Sequence, residues 1–230
     1  MSGYDGFAPT YDRWAAHMTD DVGFYVDLAR QADGPVVELA VGTGRVAIPI
    51  TERTGQKVIG IDSSPAMLAV ARERAATAGL ELDLREGDMR DFSLDEPAAL
   101  VICPFRSLLH LSTWADRRRV FERVAAALGP GGRFAWNAFV YDFMFAARHH
   151  GILQNDPVPH VIEHIPSDNR IDITVKDGPR ISLWWISRGE WEALLDVSGL
   201  ETDALYGWFD RRPFDEDSRE FVWVARKPAS

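Results

Sequence analysis

The segment best suited to chemistry is a glycine-containing loop that follows a short apolar run. The run VVEL occupies residues 36–39, and Gly42 and Gly44 come shortly after it. Glycine suits such a loop because a Cβ would block a tight turn or hold a ligand away from the backbone. Asp62 follows a second apolar run, where a carboxylate can accept hydrogen bonds from ribose hydroxyls. The combination predicts a nucleoside-containing cofactor.

The spacing of the small residues indicates the kind of cofactor. A dinucleotide-binding loop has the pattern Gly-x-Gly-x-x-Gly, and the corresponding positions here are Ala40, Gly42 and Arg45. From Glu38 to Gly44 the sequence instead reads Glu-x-Ala-x-Gly-x-Gly. This pattern resembles the first motif of the class I S-adenosylmethionine-dependent methyltransferases, with Ala40 in place of the family's first glycine. An NAD(P)-dependent oxidoreductase would share the loop and the acid and is the alternative.

Three later segments resemble the same family and occur in the same order. The first contains Asp88 and Met89, and the resemblance implies that the acid bonds the adenine amino group while Met89 packs on the ring. The second, CPFRSLLHL at residues 103–111, is similar to the stretch after the fourth strand of small-molecule methyltransferases, with Arg106 in place of Asn. The third, GPGGRF at residues 129–134, resembles the family's turn into the fifth strand.

The resemblance implies that the cofactor is S-adenosylmethionine and that its product is S-adenosylhomocysteine. The expected contacts come from the loop, the strand ends and the N-terminal segment. They are Tyr11, Glu38, Ala40, Gly42, Thr43, Gly44, Asp62, Ser63, Met67, Asp88, Met89, Cys103, Pro104 and Phe105.

Methyl transfer from a sulfonium depends mainly on alignment of the reacting groups, and a general base helps when the acceptor arrives protonated. His110 is the candidate base because it follows the fourth strand, at the rim where ligands lie in such folds. The other candidates are Tyr141, His149, His150 and Glu163. Because adjacent helical residues point about 100° apart, the two neighbouring histidines are not expected to bind a metal.

The expected acceptor is a small metabolite, methylated at nitrogen or oxygen. We expect it to contact Phe105, Arg106, Tyr141 and His149. The guanidinium of Arg106 could bind a carboxylate or phosphate of the substrate in bidentate fashion, or an acid of the substrate-side insertion. A cofactor-binding subunit without activity is the alternative from a non-enzyme class.

These residues must be positioned by an α/β fold. Up to about residue 140, short apolar runs alternate with amphipathic stretches, which predicts a parallel sheet. The resemblance implies a Rossmann-like, doubly wound sheet of seven strands in the order 3-2-1-4-5-7-6, with strand 7 antiparallel. We expect a single domain over residues 1–230, with an aromatic-rich N-terminal lid at residues 1–20 and a small antiparallel insertion at about residues 141–186.

Strand and helix boundaries follow from apolar runs and capping residues. The predicted strands of the first part are residues 36–39, 57–61, 80–84, 100–103 and 133–136, and a hairpin pairs residues 171–175 with 180–185. Ser64, Thr113 and Ser187 are the predicted N-caps of three helices.

Composition narrows the function further. The chain has 230 residues and a formal net charge of −10, and an acidic protein repels phosphate backbones, so a nucleic-acid partner is not expected. Cys103 is the single cysteine and cannot form an internal disulfide or a thiolate metal cluster. The chain has no apolar run of the ~20 residues that a membrane span needs. We therefore expect a cytoplasmic protein, monomeric or homodimeric.

Overall fold

The computed structural model describes residues 19–176 and 178–229, so Tyr11 and nearly all of the expected lid lie outside the described residues. The helices are α1 (Asp20–Arg30), α2 (Ala47–Thr54), α3 (Pro65–Thr77), α4 (Trp114–Ala127), α5 (Phe143–His149) and α6 (Arg188–Ser198), with 3₁₀ turns at Ser107–His110 and Pro166–Asp168. The strands are β1 (Val36–Leu39), β2 (Val58–Asp62), β3 (Asp83–Glu86), β4 (Ala98–Cys103), β5 (Leu128–Phe139), β6 (Leu153–Gln154), β7 (His160–Ile165), β8 (Arg170–Val175), β9 (Arg180–Trp184), β10 (Glu201–Tyr206) and β11 (Glu220–Arg226).

The main sheet has seven strands in the order β10-β11-β5-β4-β1-β2-β3. Strands β3, β2, β1, β4 and β5 pair in parallel, whereas β11 runs antiparallel to both β5 and β10. Counted along the main sheet, this order is 3-2-1-4-5-7-6 with strand 7 antiparallel. The predicted fold class and strand order are therefore confirmed.

The centre of the sheet is buried on both faces. All four residues of β1 are buried, as expected for a parallel strand covered by helices on both sides. On one face, Phe121 of α4 and Trp191 of α6 pack against Trp136 of β5, with ring centroids of Phe121 and Trp136 5.1 Å apart. On the other face, helices α1, α2 and α3 contribute a second apolar cluster. This packing holds the carboxyl ends of β1, β2 and β4 together at one edge.

A second sheet lies within the predicted insertion. It has four antiparallel strands in the order β6-β7-β8-β9, and the predicted hairpin is confirmed by the pairing of β8 with β9. Its small core contains Ile171, Ile173, Val175 and Ile181. The sheet therefore has apolar packing of its own beside the main core.

The three predicted N-caps are confirmed. The hydroxyl of Ser64 accepts a hydrogen bond from the Met67 backbone N–H at 3.2 Å, and that of Thr113 accepts from Asp116 N–H at 3.1 Å. Ser187 opens α6 with a reciprocal capping box to Glu190. Each cap satisfies a backbone donor that the first helical turn leaves free.

Some predicted boundaries were wrong. Strand β3 covers residues 83–86 rather than 80–84, because the alternation Leu-x-Leu-x-Leu does not show where pairing with β2 begins, and the register starts at Ile59 opposite Asp83. Strand β5 covers residues 128–139 rather than 133–136, because pairing with both β4 and β11 extends it. No described helix is long and apolar enough to cross a membrane.

Candidate functional site

The loop after β1 has an unusual backbone conformation. Ala40, Gly42 and Gly44 all have positive φ angles, of 55°, 56° and 78°. The left-handed conformation costs an alanine about 1–2 kcal/mol. Ala40 nevertheless adopts it, at a position where the related motif has glycine. At Gly44 a Cβ would lie 3.0 Å from Cδ1 of Ile48, so this position requires glycine for space as well as for conformation.

Asp62, the last residue of β2, ties the loop to the next turn. Its Oδ2 accepts a hydrogen bond from Gly42 N–H and its Oδ1 accepts one from Ser64 N–H, both at 2.8 Å. The carboxylate therefore holds the loop against the turn that begins at Ser64.

Two adjoining cavities meet at Asp62. The smaller, of about 230 Å³, is lined by Ala40, Ile61, Asp62, Ser63, Gly87, Asp88, Met89, Arg90, His110, Leu111, Ser112 and Asp116. The larger, of about 560 Å³, is lined by Ala40, Gly42, Asp62, Ser63, Met67, Met89, Phe105, Ser107, His110, Arg180, Ile181, Ser182 and Trp184. We call their union the cofactor cleft. It brings together nine residues that the sequence assigned to cofactor binding or catalysis: Ala40, Gly42, Asp62, Ser63, Met67, Asp88, Met89, Phe105 and His110.

Asp88 faces the smaller cavity but is engaged by Arg90. Both of its oxygens accept bonds from the Arg90 side chain, the shortest being 2.6 Å from Nη2 to Oδ2. The guanidinium lowers the pKa of Asp88, so this carboxylate is an anion at neutral pH. A contact with the adenine amino group therefore stays a prediction, and it would share the carboxylate with Arg90.

Three of the predicted cofactor residues lie beneath the loop rather than in the cleft lining. Thr43 is buried and its hydroxyl accepts a hydrogen bond from Arg74 Nη1 at 3.1 Å. Cys103 is fully buried, and burial raises the pKa of its thiol, so it is not a reactive nucleophile. Glu38 is also buried, its Oε2 has no hydrogen-bond partner among the described residues, and desolvation raises its pKa well above the usual value.

His110 lies where the two parts of the cofactor cleft meet. Burial lowers the pKa of its imidazole to about 4, and a hydrogen bond with the backbone of Ser182 opposes that shift only in part. The ring is therefore neutral at neutral pH. Because Ser182 belongs to β9, this hydrogen bond also joins the insertion to the strand-end loop that carries His110.

The turn after β4 contains two strained residues. Phe105 and Arg106 have φ angles of 56° and 63°, an arrangement that non-glycine residues adopt rarely and mainly where surrounding contacts enforce it. The guanidinium of Arg45 lies 4.9 Å from the centroid of the Phe105 ring and forms a bidentate pair with Asp21 of α1. These contacts hold the Phe105 ring against the cofactor cleft.

Arg106 takes part in a buried network that the sequence did not reveal. Its Nε and Nη2 donate to the carboxylate of Glu220, with Nη2 2.7 Å from Oε2. Asn137 Nδ2 donates to Oε1 of the same carboxylate at 2.7 Å, and the Tyr25 hydroxyl donates to Asn137 Oδ1 at 3.1 Å. The expectation that an intramolecular partner of Arg106 would be an acid of the insertion was wrong, because Glu220 belongs to β11.

A third cavity, of about 440 Å³, lies on the other side of this turn. Its lining combines β5, the start of the insertion and the segment before β11: Arg106, Phe139, Val140, Tyr141, Asp142, Phe145, Ile162, His164, Ile171 and Arg219. We call it the insertion cavity. It brings together Arg106 and Tyr141, two of the residues expected to contact the acceptor.

His149 lies outside these cavities. Its Nδ1 is 2.8 Å from the Phe145 carbonyl oxygen, and its ring stacks on Phe145 with centroids 4.0 Å apart. Another base candidate, Glu163, lies 3.4 Å from the guanidinium of Arg180. Within residues 19–176 and 178–229, the His, Cys, Asp and Glu side chains form no group of three suited to a metal ion.

Sequence reasoning missed the contribution of β9 and of the buried polar network. Residues 180–184 line the cofactor cleft although they lie far from the motifs. Asn137 and Glu220 are fully buried, and each is a polar residue beside an apolar stretch of a strand. A polar residue within an apolar strand could have indicated this network, because buried polar groups require hydrogen-bond partners.

Comparison with known proteins agrees with this geometry. The model of the methyltransferase domain family matches residues 36–132. A demethylmenaquinone methyltransferase of Thermus thermophilus is 34% identical over 47% of this chain and 49% of its own length. A dTDP-4-amino-2,3,4,6-tetradeoxy-D-glucose N,N-dimethyltransferase of Saccharopolyspora spinosa is 28% identical over 84% of this chain and 82% of its own length.

A solved structure matches over the full chain. The CcbJ methyltransferase of Streptomyces caelestis superposes with a TM-score of 0.84 at 26% identity, covering 100% of this chain and 99% of that one. By contrast, this chain spans about half the length of the curated relatives that it matches at 34% identity. The family-model match over residues 36–132 contains the loop after β1, Asp62 and the turn at Phe105, but not β9.

Proposed function

Since this chain belongs to the class I S-adenosylmethionine-dependent methyltransferases, we propose that it methylates an amine nitrogen of a small metabolite. The observation that carries the choice of nitrogen is the state of His110. Its imidazole is neutral, with a pKa of about 4, and so has low affinity for a proton. A hydroxyl must lose its proton during methyl transfer and needs a stronger base, whereas an amine can lose its proton to water before the site closes.

The residues of the cleft fit the cofactor. Asp62 ends β2 beside the loop, where a carboxylate can accept hydrogen bonds from ribose hydroxyls, and the thioether of Met89 offers an apolar, polarisable contact for the adenine ring. When bound, S-adenosylmethionine supplies a methyl group whose leaving group is a neutral thioether. The remaining predicted cofactor contacts, including Tyr11, Pro104 and Gly44, belong to this proposal.

The protein's task is to align the acceptor and exclude water. The guanidinium of Arg45 holds the Phe105 ring in place. Strand β9 lines the same cleft through Ile181, Ser182 and Trp184. Alignment of reacting groups can lower a barrier by about 7–11 kcal/mol. We assign this role to the turn at Phe105 and to β9, with His110 as a hydrogen-bonding group rather than a strong base.

The functions for which relatives are named support the same acceptor class. The Saccharopolyspora relative is named for N,N-dimethylation of a dTDP-linked amino sugar, and a Streptomyces fradiae relative, 38% identical over 42% of this chain, is named likewise. The acceptor proposed for this chain is therefore an amine on a sugar or a similarly small metabolite.

The test is turnover with methyl-labelled S-adenosylmethionine. Matched pairs of small molecules that differ only in amine or hydroxyl at one position serve as acceptors. We expect label in the amine member and release of S-adenosylhomocysteine. Transfer to hydroxyls alone would contradict the nitrogen assignment, and cofactor binding with no transfer across the panel would favour a subunit without activity. Tight binding of NAD in place of the sulfonium cofactor would contradict the proposal as a whole.

A further inference from the structure

Three side chains that line the insertion cavity, those of Arg106, His164 and Arg219, can donate hydrogen bonds to a ligand. We propose that it binds the acceptor substrate through an anionic oxygen group, a carboxylate or a phosphate, with the apolar body of the substrate against its aromatic wall. This inference rests on the proposed methyl transfer for its purpose, but the binding it requires can be measured separately. Three donors carry it, one each from Arg106, Arg219 and His164.

Arg106 supplies the donor at the base. Two of its nitrogens, Nε and Nη2, are committed to Glu220, whereas Nη1 has no hydrogen-bond partner among residues 19–176 and 178–229. About a third of the side chain, 35%, remains exposed. Glu220 therefore orients the guanidinium and leaves one N–H edge for a ligand, and planar guanidinium groups favour oxyanions.

Arg219 supplies the donor at the rim. Its backbone carbonyl accepts a hydrogen bond from Val140 N–H at 2.9 Å, which anchors the residue beside the cavity, while its exposed guanidinium forms no ion pair with any residue that the structure describes. The nearby carboxylate of Asp142 caps α5, where its Oδ1 accepts from Met144 and Phe145 N–H at 2.8 and 2.9 Å. The backbone N–H groups of Phe145 and Met144 lower the pKa of Asp142, and Arg219 adds to this lowering through space without pairing with the carboxylate.

His164 supplies the donor on the wall. Its Nδ1 lies 3.4 Å from the hydroxyl of Tyr141, and a phenol that donates to Nδ1 leaves the imidazole proton on Nε2. Nε2 is buried and has no partner among the described residues. A buried donor without an acceptor is unfavourable, and a rotation of the ring that turned Nε2 toward a ligand oxygen in the cavity would satisfy it.

The remaining wall and the position of the cavity suit an acceptor substrate. Phe139, Phe145, Ile162 and Ile171 provide apolar surface. Phe105 lines the cofactor cleft and the next residue, Arg106, lines the insertion cavity, so the two spaces lie on either side of one turn. A molecule bound here by its anionic end would lie beside the turn at Phe105 and Arg106, which separates the two cavities.

The test uses three probes that share a phenyl ring and differ in charge: benzoate, phenyl phosphate and the neutral benzamide. Their binding to the full chain, loaded with S-adenosylhomocysteine, is measured by calorimetry at low salt. We expect the anions to bind roughly tenfold or more tightly than benzamide, since charged hydrogen bonds are stronger than neutral ones. Preference for benzoate identifies a carboxylate substrate, and preference for phenyl phosphate identifies a phosphate ester.

Arg219→Gln should weaken binding of the preferred anion by roughly fivefold or more and leave benzamide unchanged. The matched control is Arg118→Gln, an exposed arginine of α4 outside the cavity that pairs with Glu122, and it should bind like wild type. A double variant, Arg106→Gln with Glu220→Gln, removes the base donor without leaving the buried carboxylate unpaired, and should also weaken the anion.

Equal binding of anions and benzamide would overturn the inference, and so would failure of both anions to bind at millimolar concentration or an Arg219→Gln variant with wild-type anion affinity. The affinity for S-adenosylhomocysteine is measured first on the same samples. Its loss would count against the proposed methyl transfer, and anion binding would then be measured on the unloaded chain. The two proposals therefore fail in distinguishable ways.

Discussion

The guanidinium of Arg106 and the carboxylate of Glu220 are 114 residues apart in the chain, yet they form a two-point ion pair with Nη2 2.7 Å from Oε2. Glu220 is fully buried, so its charge depends on this partner and on the amide of Asn137. Because Arg106 is also the residue that departs from the related methyltransferase motif, the pair links the turn beside the cofactor cleft to β11. The buried ion pair and the proposed acceptor site therefore share this residue.

Arg106→Asn should destabilise the protein by roughly 3 kcal/mol, because removing one partner of a buried pair leaves the other charge uncompensated. Breaking a buried ion pair costs about 3–5 kcal/mol, and we take the lower end because Arg106 is partly exposed. Urea unfolding measures the change. Adding Glu220→Gln to Arg106→Asn should recover much of the loss, and Arg118→Asn on the surface should change stability by less than about 0.5 kcal/mol. A wild-type midpoint for the single variant would refute this view of the pair.

Asp62→Ala should weaken binding of S-adenosylhomocysteine by about 1.5–3 kcal/mol, since the ribose hydroxyls lose a charged acceptor. It should also lower the free energy of unfolding, because Gly42 N–H and Ser64 N–H lose their acceptor. Calorimetry gives the affinity. Asp95→Ala is the matched control, because that carboxylate is 97% exposed and lies outside the cleft. An unchanged affinity in Asp62→Ala would remove this residue from the cofactor site.

Acidification should destabilise the fold through His110. Its pKa falls from the ordinary 6.5 to about 4 in the folded protein, so between these values the unfolded chain binds a proton that the folded chain does not. The contribution of the neutral His110 to the free energy of unfolding is therefore fully present above pH 6.5. It is lost as the pH drops toward 4, by up to about 3 kcal/mol.

The comparison protein for this effect is His110→Gln. Its free energy of unfolding should differ from wild type by a constant amount above pH 6.5, and the difference should shift in favour of the variant as the pH falls. Denaturant unfolding at a series of pH values provides the data. Parallel curves down to pH 4 would show that His110 titrates normally.

His110→Ala should reduce kcat less than about tenfold with an amine acceptor, because a neutral imidazole of low basicity contributes little to proton removal. With a hydroxyl acceptor, loss of a required base would instead cost about 10²–10⁴-fold. The profile of kcat against pH for both proteins, with cofactor binding confirmed in each, distinguishes these cases. A thousandfold loss with an amine would mean that His110 is a true catalytic base.

The sequence alone indicated the parallel strands of the main sheet, though not all of their boundaries, and the loop that lines the cofactor cleft. Local rules explain this success. Apolar runs of β-branched residues, helix caps at Ser64 and Thr113, and glycines at Gly42 and Gly44 act over a few residues, so their pattern is visible in the chain. The strand order came from family resemblance, and its confirmation shows that the motifs carried topological information that periodicity did not.

The acceptor side was decided by tertiary structure. Arg106 could equally have faced a substrate, an acid of the insertion or another strand, and only the pairing of β5 with β11 brings Glu220 beneath it. In the same way, β9 reaches His110 because the insertion folds back over the strand ends. Contacts of this kind join residues many tens of positions apart, and no local pattern encodes them. The sequence therefore determined the kind of cofactor that the cleft suits, whereas long-range packing determined the charge and shape of the space offered to the acceptor.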